Sequence, residues 1–236
     1  MVIVDSIFGC PFFGIVPYFP EFVNTKSAQN SNIYFLVLPI DKQACYPYDA
    51  PMANTTTNNR FESARTHARN AYAFTLLGGN ATNRAEGLGW YPTIAAEVAA
   101  VGRLAGWSMP VAASVFSAFS PRCSVAQNRR KFREFAAGRT PNGLRAHVAA
   151  ACRCVVQGFD ALNGPKTNAF ARAVAGDPDA VVIDSWMSRM AGWGESPTTV
   201  QYRAAVAAIR ELAAEWGMEP RAMQAWLWCI GRGRAW

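Results

Sequence analysis

The chain is poor in the residues from which most catalytic centres are assembled. It has two histidines, His67 and His147, too few for a Ser-His-Asp triad or a His-rich metal site. Its six cysteines (Cys10, Cys45, Cys123, Cys152, Cys154 and Cys229) show no zinc-like spacing. Cys152 and Cys154 stand two apart on a predicted helix, so they point to different faces and chelate poorly. No uninterrupted apolar run reaches the ~18 residues that span a bilayer. No basic segment precedes Val2–Phe8, and Asp5 interrupts that run, which argues against a signal peptide. Gly-rich phosphate loops are missing too, because Gly231-Arg-Gly-Arg lacks a preceding strand and the Lys-Ser/Thr ending. No metal and no cofactor is implied, and a cytoplasmic location, with the cysteines as reduced thiols, is expected.

What is present is an apolar, basic chain. Residues of the hydrophobic types make up 51% of it, enough for a core. The formal charge is +7, and its distribution is uneven. Residues 1–51 contain Lys26 and Lys42 against Asp5, Glu21, Asp41 and Asp49, so the excess lies wholly beyond Met52. Of the 21 basic residues there, only Lys131 and Lys166 are lysines. The sign favours a polyanionic partner. Residues 1–51 are also rich in aromatics and proline and poor in alanine, whereas alanine makes up about a fifth of the remainder. We therefore expect residues 1–51 to be an atypical extension, with translation starting at Met52, and residues 52–236 to form a helical domain.

From Arg60 the pattern is helical. Arg60–Leu77 is predicted to bury Phe61, Ala64, Ala68, Ala71 and Phe74. Gly87-Leu-Gly-Trp90 reads as loop, and Tyr91-Pro92-Thr93 as the opening of a helix over Ile94–Ala105. Val111–Phe119 and Val125–Ala137 follow. The second carries the densest basic run, Asn128-Arg129-Arg130-Lys131-Phe132-Arg133, open to reading as a solvated face or as a DNA contact. Gly143–Phe159 is apolar enough to be the central buried helix. Ser196–Thr199 caps Val200–Trp216, and Glu219-Pro220 starts a last helix through Cys229. The expected fold class is all-α.

The chain is organised around Ala161–Arg189. Asn163-Gly164-Pro165 reads as a tight turn in which Asn and Gly tolerate positive φ, and Pro165 starts a helix that Gly176 stops. An apolar run, Ala180-Val181-Val182-Ile183, leads to Asp184, placed as an N-cap. With Lys166 followed 18 residues later by Asp184, this stretch resembles the helix-hairpin-helix core of the DNA glycosylase superfamily, the endonuclease III-like proteins. Lys166 and Asp184 match that family's catalytic pair in order, spacing and context. Gly164 matches the second hairpin glycine, but Leu162 stands at the first, Pro165 removes a backbone donor, and Trp186 replaces the usual His.

The resemblance implies a helix-hairpin-helix glycosylase-like fold and attack on the N-glycosidic bond of a flipped-out base. Asp184 would stabilise positive charge on the sugar, and Lys166 would be the nucleophile that forms a Schiff base. Asn163, Gly164 and Thr167 of the hairpin, with Arg129, Arg130 and Lys131, would contact DNA. Trp186 and Trp193 are candidates for the pocket wall. Some relatives hold an iron–sulfur cluster on four C-terminal cysteines; only Cys229 lies in that region, so none is expected. A monomer acting on DNA, in base-excision repair or in hypermodification of bacteriophage DNA bases, is the implied protein. A non-catalytic helix-hairpin-helix DNA-binding protein is the alternative.

Overall fold

The computed structural model describes residues 55–233, and every regular element among them is helical. The expected extension over residues 1–51 lies outside the described residues. The helices are α1 (Thr55–Leu77), α2 (Ala81–Leu104), α3 (Met109–Ala118), α4 (Val125–Ala136), α5 (Arg145–Gln157), α6 (Pro165–Ala175), α7 (Ser185–Met190), α8 (Thr199–Glu215) and α9 (Pro220–Arg232), with a 3-10 turn over Gly158–Ala161.

Helix starts follow local chemistry. Ser124 and Gln127 form a reciprocal capping box at α4, and Thr198 and Gln201 form one at α8. Asn80 caps α2 through Asn83 N–H, and α3, α6 and α9 have proline in the first turn. Gly176 stops α6 at φ 109°, a left-handed conformation that a side chain would strain.

The apolar faces meet in two clusters. In one, α3 is enclosed from Ala112 to Phe119 and packs against α2, α5 and α6, with Ile94, Val98, Phe132 and Val174 around it. In the other, α1 and α8 pack together and, with α7 and α9, bury Tyr72, Met187, Ile209, Leu212 and Leu227. The extended run before α7 threads between them. Side chains alternate along an extended chain, so Ala180 and Val182 enter the first cluster while Val181 and Ile183 enter the second. Asp184, next in register with Val182, is thereby delivered to the seam.

Four expectations are corrected. α2 runs unbroken through Gly87-Leu-Gly-Trp90 and Pro92. A Cβ on Gly87 would stand 2.4 Å from Cα of Trp226, so this glycine permits close approach of α2 and α9 and forms no loop. Pro92 and Leu88 are both exposed, so the Leu88 carbonyl that loses its partner to the proline can turn to water. The buried stripe of α1 is Ala68, Tyr72 and Leu76, leaving Phe74 77% exposed; the face is set by where α8 lies. The central helix is α3. α5 is peripheral, burying fully only Ala151 and Cys154 and exposing Val155 and Val156. Finally, Gly164 is extended at φ −88°, and the glycine with positive φ ahead of the turn is Gly158, at φ 59°.

Candidate active site

Lys166 and Asp184 line one pocket of about 640 Å³, including its open mouth. Five elements build it. Trp90 and Tyr91 come from α2, Phe116 from α3, Asn128 from α4, Lys166 and Phe170 from α6, and Gln224 and Trp228 from α9. Lys166 and Phe170 are four apart, hence on one helix face. The aromatic wall is continuous: Trp90 lies 4.8 Å from Tyr91, 5.6 Å from Trp228 and 6.0 Å from Phe170, centroid to centroid.

Asp184 is fixed on both oxygens. Oδ1 accepts from the backbone N–H groups of Trp186 and Met187, at 2.9 and 3.0 Å, capping α7. Oδ2 accepts from the Trp228 indole at 3.0 Å. A hydrogen bond to an ionised group contributes about 1.5–3 kcal/mol, so the carboxylate is held rigidly at the edge of the pocket. Lys166 has no such restraint. Burial pushes its pKa down, against a smaller upward pull from Asp184 and Cys123, which favours the free amine that a nucleophilic lysine needs.

The wall also carries carboxamides. Gln224, 4% exposed, accepts at Oε1 from the Tyr91 hydroxyl at 2.8 Å. Asn128 is 3% exposed, and its buried Oδ1 has no hydrogen-bond partner. Leaving such a group unsatisfied costs about 1–3 kcal/mol. Cys123 also lines the pocket and accepts from Nζ of Lys131 at 3.1 Å.

The other residues singled out in the sequence are dispersed. Asn163 is exposed, Gly164 is the N-cap residue of α6, and the Thr167 hydroxyl donates to the Gly164 carbonyl at 3.1 Å. In the basic run, Arg129 is paired with Glu97 at 2.7 Å, Lys131 is held by Cys123, and Arg130 reaches Glu134 only at 4.0 Å. Trp186 and Trp193 do not line the pocket. Capping by Asp184 turns Met187 inward and leaves Trp186 39% exposed beneath the Arg189 guanidinium, while Trp193 stacks on His67. The actual wall residues, Trp90, Tyr91, Phe116, Phe170 and Trp228, share no spacing that would reveal them, because they come from four helices.

Among the described residues, no group of three or more His, Cys, Asp or Glu side chains is placed to hold a metal ion, and no single helix is long and apolar enough to cross a membrane. Fold and pocket thus define an all-helical protein with a lysine and an aspartate converging on one aromatic cavity. The chain belongs to the Family of unknown function (DUF7178), which it matches over residues 55–235. No curated protein and no solved structure gives a significant match to it.

Proposed function

We propose that the chain is a DNA glycosylase-type enzyme on a helix-hairpin-helix helical fold, cleaving the N-glycosidic bond of a base extruded from the duplex. The observation that carries this reading is the convergence of Lys166 and Asp184 on one aromatic-walled pocket. A flipped base needs flat apolar walls, which Trp90, Phe170 and Trp228 supply. As the base leaves with the bonding electrons, positive charge grows on the sugar, and the fixed Asp184 carboxylate stabilises it. The Lys166 amine, whose pKa burial lowers, attacks the sugar carbon and loses a proton; the bond from that carbon to the ring oxygen then breaks, the oxygen taking up a proton, to give a Schiff base that water later hydrolyses.

The hairpin supports a duplex contact. The amides of Lys166 and Thr167 lie in the first turn of α6, where a helix leaves its N–H groups without intrahelical partners. α4, which carries the basic run, also supplies Asn128 to the wall, so cations and pocket share one helix.

The test is incubation with DNA carrying uracil, hydroxymethyluracil or oxidised bases, followed by borohydride trapping. A covalent adduct that Lys166→Ala abolishes is the expected result. Salt-sensitive DNA binding without base release from any substrate, virus-modified DNA included, would instead identify a non-catalytic binding protein.

A further inference from the structure

Three basic side chains from three segments gather beside the pocket, and the bond-breaking chemistry uses none of them. Nζ of Lys131, on α4, gives one of its three hydrogens to Cys123, which lines the pocket. A Cβ on Gly143 would stand 2.9 Å from the same Nζ, so the ammonium also lies against the segment that leads into α5. His147 is in the first turn of α5. Burial, and then the positive charges of Lys131 and Arg122, push its pKa below the ordinary histidine value, and its buried Nδ1 has no hydrogen-bond partner. Among the described residues, neither Lys131 nor Arg122 pairs with a carboxylate.

Arg122 is held in an unusual conformation. At φ 56° it is the one described residue other than glycine with a positive φ. The Cys123 N–H donates to the Ser120 carbonyl at 3.3 Å and closes a turn over Pro121 and Arg122. A turn with positive φ at its third residue ordinarily places glycine or asparagine there. Arginine bears strain that glycine would relieve, and its side chain is exposed, so burial of that side chain does not repay it. Strain of this kind collects at ligand sites. Ser120 and Cys123, at the two ends of the turn, line the pocket, so Arg122 stands at its rim. A planar guanidinium fork beside an ammonium matches a phosphate group, which accepts on more than one oxygen.

We infer that Arg122, Lys131 and His147 form a phosphate site at the rim of the pocket, filled by a phosphodiester of the strand whose base enters it. The site belongs to the α3–α4 turn, α4 and α5, and is separate from the amides of α6. It rests on the reading that a strand delivers a base to this pocket, but not on bond cleavage.

The experiment titrates the full chain with a short single-stranded DNA oligonucleotide, with the same sequence on an uncharged methylphosphonate backbone, and with pyrophosphate. Affinity is read from tryptophan fluorescence, and the site from histidine ring resonances. The chain has two histidines, and His67, stacked on Trp193, serves as the internal control. The DNA oligonucleotide should shift the His147 resonances and leave those of His67 in place, and the uncharged backbone should bind at least about tenfold more weakly. Arg122→Gly should weaken binding of the DNA oligonucleotide about tenfold and lower its salt slope by about 0.7, with circular dichroism confirming the fold. Arg122→Lys should recover part of the loss. Unmoved His147 resonances, equal affinity for the two backbones, or full affinity in Arg122→Gly would overturn the inference. Pyrophosphate that shifts His147 where the oligonucleotide does not would assign the site to a free phosphorylated molecule and overturn the strand contact. Failure of the bond-breaking reading shows differently, as phosphate-dependent binding that Arg122→Gly weakens, without a borohydride adduct from any substrate.

Discussion

The Trp228 indole N–H donates to Oδ2 of Asp184 at 3.0 Å, tying α9 to the cap of α7. One carboxylate therefore ends an extended run, starts a helix and closes one side of the pocket. Asp184→Ala removes a cap, worth about 1 kcal/mol, and leaves a partly buried indole unpaired, about 1 kcal/mol more. Trp228→Phe should lose only the second amount. Denaturant midpoints will separate the two, and equal losses would mean that the cap contributes nothing.

Asp184→Asn should abolish base release while retaining DNA binding, because the amide still caps but carries no charge to offset that of the sugar. Unchanged turnover would remove Asp184 from the mechanism.

Gly87 and Gly89 lie two residues apart on α2 and should respond oppositely to alanine. The new Cβ of Gly87→Ala meets backbone at Trp226, which cannot rotate away, so a loss of about 1–3 kcal/mol or more is expected. Gly89 has nothing within 4 Å of its would-be Cβ, and Gly89→Ala should add about 0.5–1 kcal/mol. Melting temperatures moving in the same direction would contradict the close helix contact.

Lys166→Met should raise stability near neutral pH. Burial lowers the native-state pKa of Lys166 below its unfolded value of 10.5, so at lower pH the folded chain bears the cost of a buried charge. That cost is full below the native pKa and fades as pH rises toward the unfolded one, where the unfolded chain also loses its proton. The advantage of Lys166→Met should accordingly shrink as the solution becomes alkaline. A pH-independent difference would mean that packing, not charge, is responsible.

Alkylation at pH 8 should modify Cys123 before Cys154 and Cys229. Burial pushes the latter thiols up to about 11 and about 12, so they remain protonated and inaccessible. Prior labelling of Cys229 would show that α9 opens readily.

If α4 faces the duplex, Arg130→Ala should lower the salt dependence of DNA binding by about one unit of slope. Arg130 is the residue to test because Arg129 is committed to Glu97 and Lys131 to Cys123. An unchanged slope assigns the run to a solvated, self-neutralised face.

The residues that end helices could be read directly. Asp184, Thr198, Pro165 and Gly176 act on backbone groups at most a few positions away, so their consequences follow from order along the chain. The pairing of Lys166 with Asp184 was legible through a resemblance, and the all-helical class through periodicity. The rest depended on contacts between distant segments. Gly87 looks like a loop residue until α9 is laid against it, and α5 looks central until α3 occupies the core. Trp186 and Trp193 were as plausible for the pocket as Trp90 and Trp228. Which indoles face the cavity depends on how α2, α6 and α9 are rotated, and that is settled by burial of both apolar clusters at once. By itself, then, the sequence determined the helical class and those helix ends that a local cap or stop marks, as at Pro165, Gly176 and Asp184, because those hydrogen bonds are local. The start of α2 was not among them. Only the tertiary structure decided what surrounds Asp184, because side chains from five elements must pack before the pocket exists.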